Sequence, residues 1–421
     1  MRLPADTRWI VATWLATRGL IVALIFLVSR GDIGHMQDVG YYHEVARHLL
    51  DTRTMPATEM WQYPPGATVV LLIPQLAGDA AYGIAFVAFM VACDALITWL
   101  LARASRSNGS QLGLWAWLLL MPAMREYPLL RFDLFPTLCA VAALLFVVRR
   151  PVLFGALAGL GALVKAWPIV VLGAEWRPRR LALAAIVAGA VLFGGIAAAE
   201  QVFGPQDRAL DNQAGRGLQN EAVAASPWHL AGSLNGKGAP LHYGSGATEI
   251  DDPRSERVAD SLRWATALVG VLLAAWWALR ALVLRRDPSR RSWLASNAAG
   301  ADLVTVGVLL AIVTSRVLSP QFMVWMLAVA AVSLTFPNTR LRRPFVFIAL
   351  ATICTAGVLR YPEVLVARNA LLAIASIDAL ALLWLGLRAR DDVDRQVVDL
   401  LDVQSAATRD AHDVVDAPTL A

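Results

Sequence analysis

The chain has 421 residues, of which 57% are hydrophobic and only 16% are charged. Apolar runs of membrane-spanning length recur along it, which excludes a soluble protein and indicates a polytopic membrane protein. The formal net charge is +5, yet the basic residues border the apolar runs and form no continuous patch, so nucleic acid is excluded as a partner.

The first predicted element is a membrane helix over residues 10–28, which we interpret as retained in the protein. Arg2 and Arg8 precede it, and no small-residue cleavage site follows it, whereas a cleaved signal peptide would have one.

Clusters of arginine recur between later apolar runs and mark cytoplasmic loops by the positive-inside rule. These clusters are Arg103/Arg106, Arg149/Arg150, Arg177/Arg179/Arg180, Arg285/Arg286/Arg290/Arg291 and Arg340/Arg342/Arg343.

The first outer loop, residues 30–64, is rich in acidic and aromatic side chains. The helical spacing of its apolar residues predicts a short amphipathic helix on the membrane surface, and these residues are Tyr42, Val45, Ala46, Leu49 and Leu50. Asp38 lies just before this helix, where it either caps the helix or faces a polar cavity as a functional group. Glu44 is predicted on the wet face of the helix.

The remaining apolar runs complete a bundle of about twelve predicted crossings, with both termini in the cytoplasm. A short run at 67–76, broken by Pro74, is interpreted as a re-entrant or interfacial segment, because the flanking basic clusters require an odd number of crossings there. The longest polar stretch, residues 201–261, is predicted to lie outside. The predicted crossings are 10–28, 80–101, 112–123, 134–148, 152–164, 169–176, 181–199, 262–284, 303–315, 322–336, 345–359 and 371–387.

Residues 1–390 are predicted to form one transmembrane domain, followed by an acidic tail at residues 391–421. The tail contains eight Asp and two Arg and has no apolar run. Such a composition buries too little apolar surface to fold, so we expect the tail to be disordered and cytoplasmic.

Prolines and ionisable residues concentrate where the predicted spans meet the outer face. Non-helical backbone at that depth is tolerated only where it is buried in protein or lines a cavity. Because five separate segments place polar groups at this level, the sequence predicts one outward-facing polar cavity. The segments are Tyr63-Pro64-Pro65, Arg131/Asp133, Lys165/Pro168, Arg316/Ser319/Pro320/Gln321 and Arg360/Pro362.

Several charged residues in these segments have both a functional and a structural interpretation. Lys165 is one of only two lysines beside 35 arginines, which suggests that a compact ammonium is needed there, although a lysine can also snorkel to the headgroups. Arg131 either forms a structural ion pair with Asp133 or faces the cavity. Asp94 and Asp378 lie within spans, where interhelical hydrogen bonding is the expected role.

Two or three cations and a carboxylate around one cavity suit a lipid-linked phosphate. Arg and Lys bind phosphate oxygens, and a carboxylate can take a proton from an attacking hydroxyl. No Walker motif, Rossmann glycine fingerprint or zinc spacing is present. The three cysteines lie inside apolar segments, so we expect neither a cofactor nor a metal ion.

Taken in order, these motifs resemble the GT-C glycosyltransferases, and more narrowly the bacterial polyprenol-phosphate-mannose-dependent mannosyltransferases of glycosyltransferase family 87. The similarity extends from about Arg8 to Arg390. The departures are Asn220-Glu221, where the family tends to have Glu-Ser, and Arg316, where a lysine is common. The motifs are an Asp and Tyr in the first outer loop, Tyr63-Pro64-Pro65, Arg131-Phe132-Asp133, Lys165 with Pro168, Arg216-Gly217-Leu218-Gln219-Asn220-Glu221, and Ser319-Pro320-Gln321 followed by Trp325.

The resemblance implies a GT-C-like helical bundle in the bacterial plasma membrane, with its active site facing outside. It implies metal-independent, inverting transfer of mannose from a polyprenyl-phosphate donor to a hydroxyl of an outer-leaflet glycolipid or glycan. Asp38 matches the first-loop catalytic base. Lys165, Arg316 and Arg131 are the candidates for binding the donor phosphate. The remaining candidates for the substrate cavity are Tyr42, Tyr63, Gln219, Glu221, Ser319, Gln321 and Arg360.

Two alternatives stay open at this point. A lipid-linked sugar transporter or flippase would also have broken helices and buried charges, although no inverted repeat is visible and the polar groups gather at the outer side. The transferred sugar could also be another one, such as arabinose.

Overall fold

The computed structural model describes residues 5–33, 36–58, 60–147, 150–205, 211–213, 215–244, 246–286, 291–358 and 360–388. The acidic tail at 391–421, predicted to be disordered, lies outside these residues, as do Glu59, Arg149 and Arg290 of the loops discussed above.

The described residues form sixteen α-helices with a single two-stranded sheet. Short 3-10 segments lie at Asp79–Ala81, Met121–Met124, Trp167–Ala174, Val223–Ala225 and Thr355–Gly357. The sheet is an antiparallel hairpin of β1 (Leu241–Gly244) and β2 (Ala247–Ile250). The helices are α1 (Ala5–Ser29), α2 (Gln37–Thr52), α3 (Ala67–Gln75), α4 (Tyr82–Asn108), α5 (Leu112–Leu120), α6 (Tyr127–Leu130), α7 (Leu134–Phe146), α8 (Pro151–Val164), α9 (Pro178–Phe203), α10 (Ser226–Leu234), α11 (Pro253–Arg286), α12 (Arg291–Leu294), α13 (Asn297–Val313), α14 (Phe322–Leu334), α15 (Arg342–Cys354) and α16 (Pro362–Arg388).

The protein is an all-α polytopic membrane protein, as the sequence predicted. Five of its described helical segments are long and apolar enough to cross a bilayer, and they are Thr7–Ser29, Asp79–Asn108, Pro178–Phe203, Pro253–Arg286 and Pro362–Gly386. Each other predicted crossing coincides with a shorter helical segment. The one predicted at 169–176 is an eight-residue 3-10 segment, Trp167–Ala174, about 16 Å long, which is too short to span about 30 Å of hydrocarbon by itself.

The short run at 67–76 forms α3, a helix of nine residues. At 1.5 Å per residue it is about 14 Å long, roughly half of the hydrocarbon thickness. Its length is therefore that of a re-entrant or interfacial segment and not that of a crossing.

The amphipathic helix α2 begins earlier than the sequence predicted. It starts at Gln37, its N-cap is Met36, and no side chain caps it. Asp38 therefore lies within the first turn and does not cap the helix. Of the predicted apolar face of α2, Tyr42, Val45, Ala46 and Leu49 are buried, whereas Leu50 is 48% exposed. Glu44 is exposed, as expected.

Among the described helices that are too short for a full crossing, three share one arrangement. α7, α8 and α14 have 13, 14 and 13 residues, hence lengths of about 20 Å. One end of each adjoins Asp133, Lys165 or Gln321, and the other end leads toward an arginine cluster. Each of these helices is therefore about 10 Å shorter than the hydrocarbon layer of a bilayer is thick.

α8 and α9 pack at backbone contact distance through small residues. A Cβ on Gly155 would lie 2.3 Å from the Ala184 carbonyl oxygen, and one on Gly159 would lie 2.5 Å from the Ala188 carbonyl oxygen. Such a small-residue stripe allows two membrane helices to approach closely without a hydrophobic driving force. The contact fixes α8, whose C-terminal cap is Lys165.

Asp94 is interhelically hydrogen bonded, as predicted, and its partner is an arginine. The Arg18 guanidinium binds both of its carboxylate oxygens at 2.8 and 2.9 Å. The indole N–H groups of Trp14 and Trp117 also donate to Asp94. Both charges are buried, and this satisfied network ties α1 to α4 and α5. Asp378 instead forms an ion pair with Arg343, whose Nε lies 3.3 Å from Asp378 Oδ2 without the geometry of a hydrogen bond.

Candidate functional site

A cavity of about 1190 Å³ opens among the ends of the short helices. Its walls come from α2, the Gln62–Pro65 turn, α6, the junctions flanking α7, α8 and α14, the C-terminal half of α9, Thr266 of α11, and the 213–221 and 243–248 segments. Of the residues predicted for the site, those that line this one cavity are Asp38, Tyr63, Arg131, Lys165, Gln219, Glu221, Ser319 and Gln321.

Asp38 forms an ion pair with Arg131 at the cavity wall. Arg131 Nη2 lies 2.6 Å from Asp38 Oδ2, with both side chains partly exposed. Burial raises the pKa of Asp38, and the nearby Arg131 charge opposes that rise. Because Arg131 is bound to Asp38, the predicted structural pair of Arg131 with Asp133 does not form. The buried Arg131 Nε has no hydrogen-bond partner among the described residues.

Asp133 instead holds Lys165 at the bottom of the cavity. Lys165 Nζ lies 2.6 Å from Asp133 Oδ1, and the Trp325 indole N–H donates to the same oxygen at 2.6 Å. Asp133 is only 1% exposed. It therefore serves as a buried counter-charge, while an ammonium with one bond to Asp133 keeps two N–H donors.

Four aromatic rings surround the Lys165 ammonium. Their centroids lie between 4.9 and 5.9 Å from Nζ, and the rings are Trp325, Phe132, Phe322 and Tyr63. Ring faces attract a cation at this range. The cage explains why a compact ammonium stands here in an arginine-rich chain, since a planar guanidinium needs more room.

The local sequence explains why Lys165 leaves the helix at this point. α8 ends at Val164, and the backbone of Lys165 is extended, with φ −156° and ψ 125°. Pro168 follows three residues later and cannot donate a hydrogen bond to continue α8. The chain restarts as the Trp167–Ala174 3-10 segment, so Lys165 sits in a break between two helical pieces.

The 217–221 segment is held over the cavity by the β1–β2 hairpin. Asn220 N donates to the Thr248 carbonyl and Ile250 N to the Leu218 carbonyl, both at 2.9 Å. Gly217 N also donates to the buried Glu249 carboxylate at 3.2 Å. This hairpin was not expected from the sequence, although a Gly-Ser-Gly run between two short segments is a turn signal.

Glu221 lies buried in the cavity wall, with 4% of the residue exposed. Its main-chain oxygen accepts a bond from Arg368 Nη2 at 2.6 Å. Burial raises the pKa of the Glu221 carboxyl to about 7, against the opposing charges of Arg368 and Arg131. The group is therefore partly protonated near neutral pH.

Arg216 lines the cavity although it was not among the residues predicted for the site. Its buried Nε has no hydrogen-bond partner among the described residues, and its charge is close enough to Lys165 to repel it. Each cation has a carboxylate near it, Asp133 for Lys165 and Glu249 for Arg216, and two cations that line one cavity can still bind an anion between them. The signal was present in the sequence, because Arg216 begins the motif that contains Gln219 and Glu221.

Tyr42, Arg316 and Arg360 do not line the cavity, contrary to expectation. Tyr42 is 1% exposed and packs behind Phe132 and Tyr63, because its position faces the core side of α2. The Arg316 guanidinium is bonded to the Gln213 main-chain carbonyl. Arg360 is exposed, with its guanidinium 5.7 Å from the Tyr361 ring.

Within the described ranges, no group of three or more His, Cys, Asp or Glu side chains is arranged to hold a metal ion. The charged groups that do converge include the pairs Asp38–Arg131 and Asp133–Lys165 together with Arg216, Glu221 and Glu200. Such a set can bind an anion and accept a proton in the same cavity.

Among known proteins, the family model of glycosyltransferase family 87 matches residues 61–305, which is more than half of the chain. The matched range contains Arg131, Lys165, Arg216 and Glu221, whereas Asp38 precedes it. No curated protein and no solved structure matches the chain.

Proposed function

The chain belongs to glycosyltransferase family 87, and we propose that it transfers a mannosyl residue from a polyprenyl-phosphate donor to a hydroxyl group of a glycolipid or glycan. The observation that carries this proposal is the convergence of Asp38, Lys165 and Arg216 on one cavity. A carboxylate and two cations are the groups that a phosphate leaving group and an attacking hydroxyl require.

In the proposed step, the acceptor hydroxyl oxygen attacks the anomeric carbon of the donor sugar. Its proton passes to the Asp38 carboxylate, the carbon–oxygen bond to the phosphate breaks, and polyprenyl phosphate leaves with the bonding electron pair. Attack from the face opposite the phosphate inverts the anomeric carbon, so a β-linked donor gives an α-mannoside. The raised pKa of Asp38 makes it a better proton acceptor than an ordinary carboxylate.

Lys165 and Arg216 bind the phosphate in this proposal. A phosphate monoester of a lipid carries less charge than a pyrophosphate, so two protein cations suffice to stabilise it as it leaves, without a metal ion. The N-termini of α7 and α14 adjoin Asp133 and Gln321 at the same cavity, where their dipoles add positive potential.

We place the cavity on the outer side of a bacterial plasma membrane. The support is the charge distribution, because the arginine clusters lie at the opposite ends of the helices that reach the cavity. An acceptor on the outer leaflet then approaches from outside, while the donor lipid remains in the bilayer.

The test is a transfer assay with the purified full-length protein in proteoliposomes. Polyprenyl-phosphate mannose and polyprenyl-phosphate arabinose are supplied separately, each with an extract of envelope glycolipids. We expect mannose transfer with equimolar release of polyprenyl phosphate, unchanged by a metal chelator, and an α-linked product.

Three results would contradict the proposal. Transfer of arabinose alone would show that the donor sugar is arabinose and not mannose. Loss of transfer with the chelator would show that a metal ion is needed to stabilise the leaving phosphate. Movement of the intact sugar lipid between leaflets without a covalent product would identify a flippase.

A further inference from the structure

Three amide side chains in the cavity wall have buried oxygens that accept no hydrogen bond from the described residues. They are Gln219 Oε1, Asn220 Oδ1 and Gln321 Oε1. Gln219 is 6% exposed and Gln321 is 5% exposed, and all three residues line the cavity. Buried polar atoms in folded proteins are normally paired, so these oxygens point to a missing partner.

The amides are held in place by other bonds. Gln219 Nε2 donates to Ser319 Oγ at 3.0 Å, and its main-chain N donates to the Arg316 carbonyl at 2.9 Å. Rotating the Gln219 amide by 180° would only exchange the open oxygen for an open N–H₂ group. Because the Ser319 hydroxyl can either accept from the amide nitrogen or donate to the amide oxygen, one end of the Gln219 amide lacks a partner among the described residues in both orientations.

Amide oxygens require a ligand with O–H or N–H donors. An ionised phosphate and a polyprenyl chain have none, whereas a pyranose ring carries several hydroxyl groups that both donate and accept. The same wall contains the Trp167 indole N–H, which is also buried and unpartnered, and the stacked rings of Trp167 and Trp325, with centroids 5.3 Å apart. A sugar ring could pack its C–H face on this aromatic surface.

We infer that Gln219, Asn220 and Gln321 bind the hydroxyl groups of the donor sugar and so help to determine which sugar is transferred. This inference rests on the proposed function, which supplies the sugar–phosphate donor. The position favours the donor over the acceptor. Gln321 precedes Trp325 by one helical turn, and Trp325 shares Asp133 with Lys165, so the amides adjoin the phosphate to which the donor sugar is bonded.

The test compares two probes on the full-length protein, polyprenyl phosphate and polyprenyl-phosphate mannose of equal chain length. In the wild type, the mannosylated probe should bind more tightly because the amides contact its hydroxyl groups. Gln219→Leu and Gln321→Leu should each weaken binding of the mannosylated probe by about 3- to 10-fold. Affinity for polyprenyl phosphate should stay unchanged, which also shows that the cavity is folded.

Gln111→Leu is the matched control, because Gln111 is exposed at the arginine-rich end of α5. It should alter neither affinity.

Equal losses of affinity for both probes in the Gln219→Leu and Gln321→Leu variants would overturn the inference, since the amides would then support the phosphate site or the fold. If Gln219→Leu and Gln321→Leu left both donor affinities unchanged but raised the KM for the acceptor, the amides would bind the acceptor sugar. That result would overturn their assignment to the donor sugar. A wild-type protein that binds polyprenyl phosphate without preference for the mannosylated probe would overturn the inference alone, whereas one that binds neither would overturn the proposed function with it.

Discussion

Besides Arg131, which is paired with Asp38, three cations near the cavity differ in the bonds that their side chains already make. Lys165 is bonded to Asp133 and keeps N–H donors for a ligand. Arg216 lines the cavity with a buried, unpartnered Nε among the described residues. Arg316 is bonded to the Gln213 carbonyl and does not line the cavity. The structure therefore favours Arg216 over Arg316 as the second contact of the donor phosphate.

Lys165→Ala and Arg216→Gln should each weaken binding of polyprenyl phosphate by about tenfold or more. A hydrogen bond to a charged group contributes about 1.5–3 kcal/mol, which corresponds to that factor. Equilibrium titration of detergent-solubilised protein measures the effect, with Arg316→Gln as the matched control. If Arg316→Gln weakened binding as much as Arg216→Gln, the phosphate would lie nearer to Arg316 than we propose.

Because the pKa of Glu221 is raised in the folded protein, this residue makes the free energy of unfolding depend on pH. The folded protein holds this proton up to a pH of about 7, whereas an unfolded glutamate releases it near 4.3. Between these values the folded state binds more protons, so the contribution of Glu221 to the free energy of unfolding falls as pH rises through this window and is fully lost above it.

Glu221→Gln should remove this contribution, because glutamine is neutral at every pH. The difference in thermal midpoint between the variant and the wild type should therefore grow in favour of the variant from about pH 4.5 to 7 and then level off. A difference that stays constant across this range would mean that Glu221 is ionised in the folded protein at all these pH values. Because the variant and the wild type share all other titrating groups, the effects of those groups cancel in the difference between the two thermal midpoints.

Most of the residues predicted for the site line the cavity, whereas their bonding partners were not predicted from the sequence. Asp38, Arg131 and Lys165 were selected because polar groups at membrane depth are costly without a role. Their pairing depends on packing between segments far apart in the chain, as in Asp38–Arg131 and Lys165–Asp133. The pairing of Asp94 with Arg18 could not be predicted from the sequence for the same reason.

At the scale of elements, α8 positions Lys165, and its own position depends on two glycines. Gly155 and Gly159 touch the backbone of α9 at Ala184 and Ala188. Any side chain at these positions would push the helices apart and shift the C-terminal end of α8, where Lys165 binds Asp133.

Gly159→Ala should destabilise the protein by about 1–3 kcal/mol, because the added methyl group would overlap the Ala188 backbone. It should also weaken binding of polyprenyl phosphate by displacing Lys165. Gly194→Ala on α9 is the matched control, since a Cβ there meets nothing within 4 Å, and alanine favours a helix over glycine by about 1 kcal/mol. Equal thermal midpoints for the two variants would show that α8 and α9 do not require this close contact.

Hydropathy predicted the helices of this protein because each bilayer-facing run must satisfy its own backbone. It predicted less well where that constraint is absent. The β1–β2 hairpin forms in a polar stretch, where a short turn and pairing with the 217–221 segment decide the structure. α2 extends to Gln37 because a polar first turn is compatible with a helix that lies at a surface.

At the scale of the whole molecule, charge is distributed unevenly between the two ends of the bundle. The arginine clusters lie at one end, and the cavity with its acidic first loop lies at the other. From the positive-inside rule we propose that the cavity faces away from the cytoplasm.

This orientation can be tested by labelling single cysteines in a background without Cys93, Cys139 and Cys354. Glu44→Cys and Asp211→Cys should react with an impermeant reagent added outside intact cells, because both positions are exposed on the cavity side. Arg286→Cys and Arg342→Cys, exposed at the arginine-rich end, should react only after the membrane is opened. Outside labelling at position 342 without labelling at 211 would reverse the orientation and remove the proposed access of an outer acceptor.

The central claim is that this membrane glycosyltransferase uses Asp38 as its general base, and single-turnover transfer by Asp38→Asn tests it most directly. Asparagine keeps the shape of the side chain but cannot take the acceptor proton, so transfer should fall by about 10²–10⁴-fold. Donor affinity measured on the same preparation should stay close to that of the wild type. Glu44→Gln, an exposed change six residues away on α2, should leave both quantities unchanged. Near-normal transfer by Asp38→Asn would contradict the account, because the proton would then have to pass to another group.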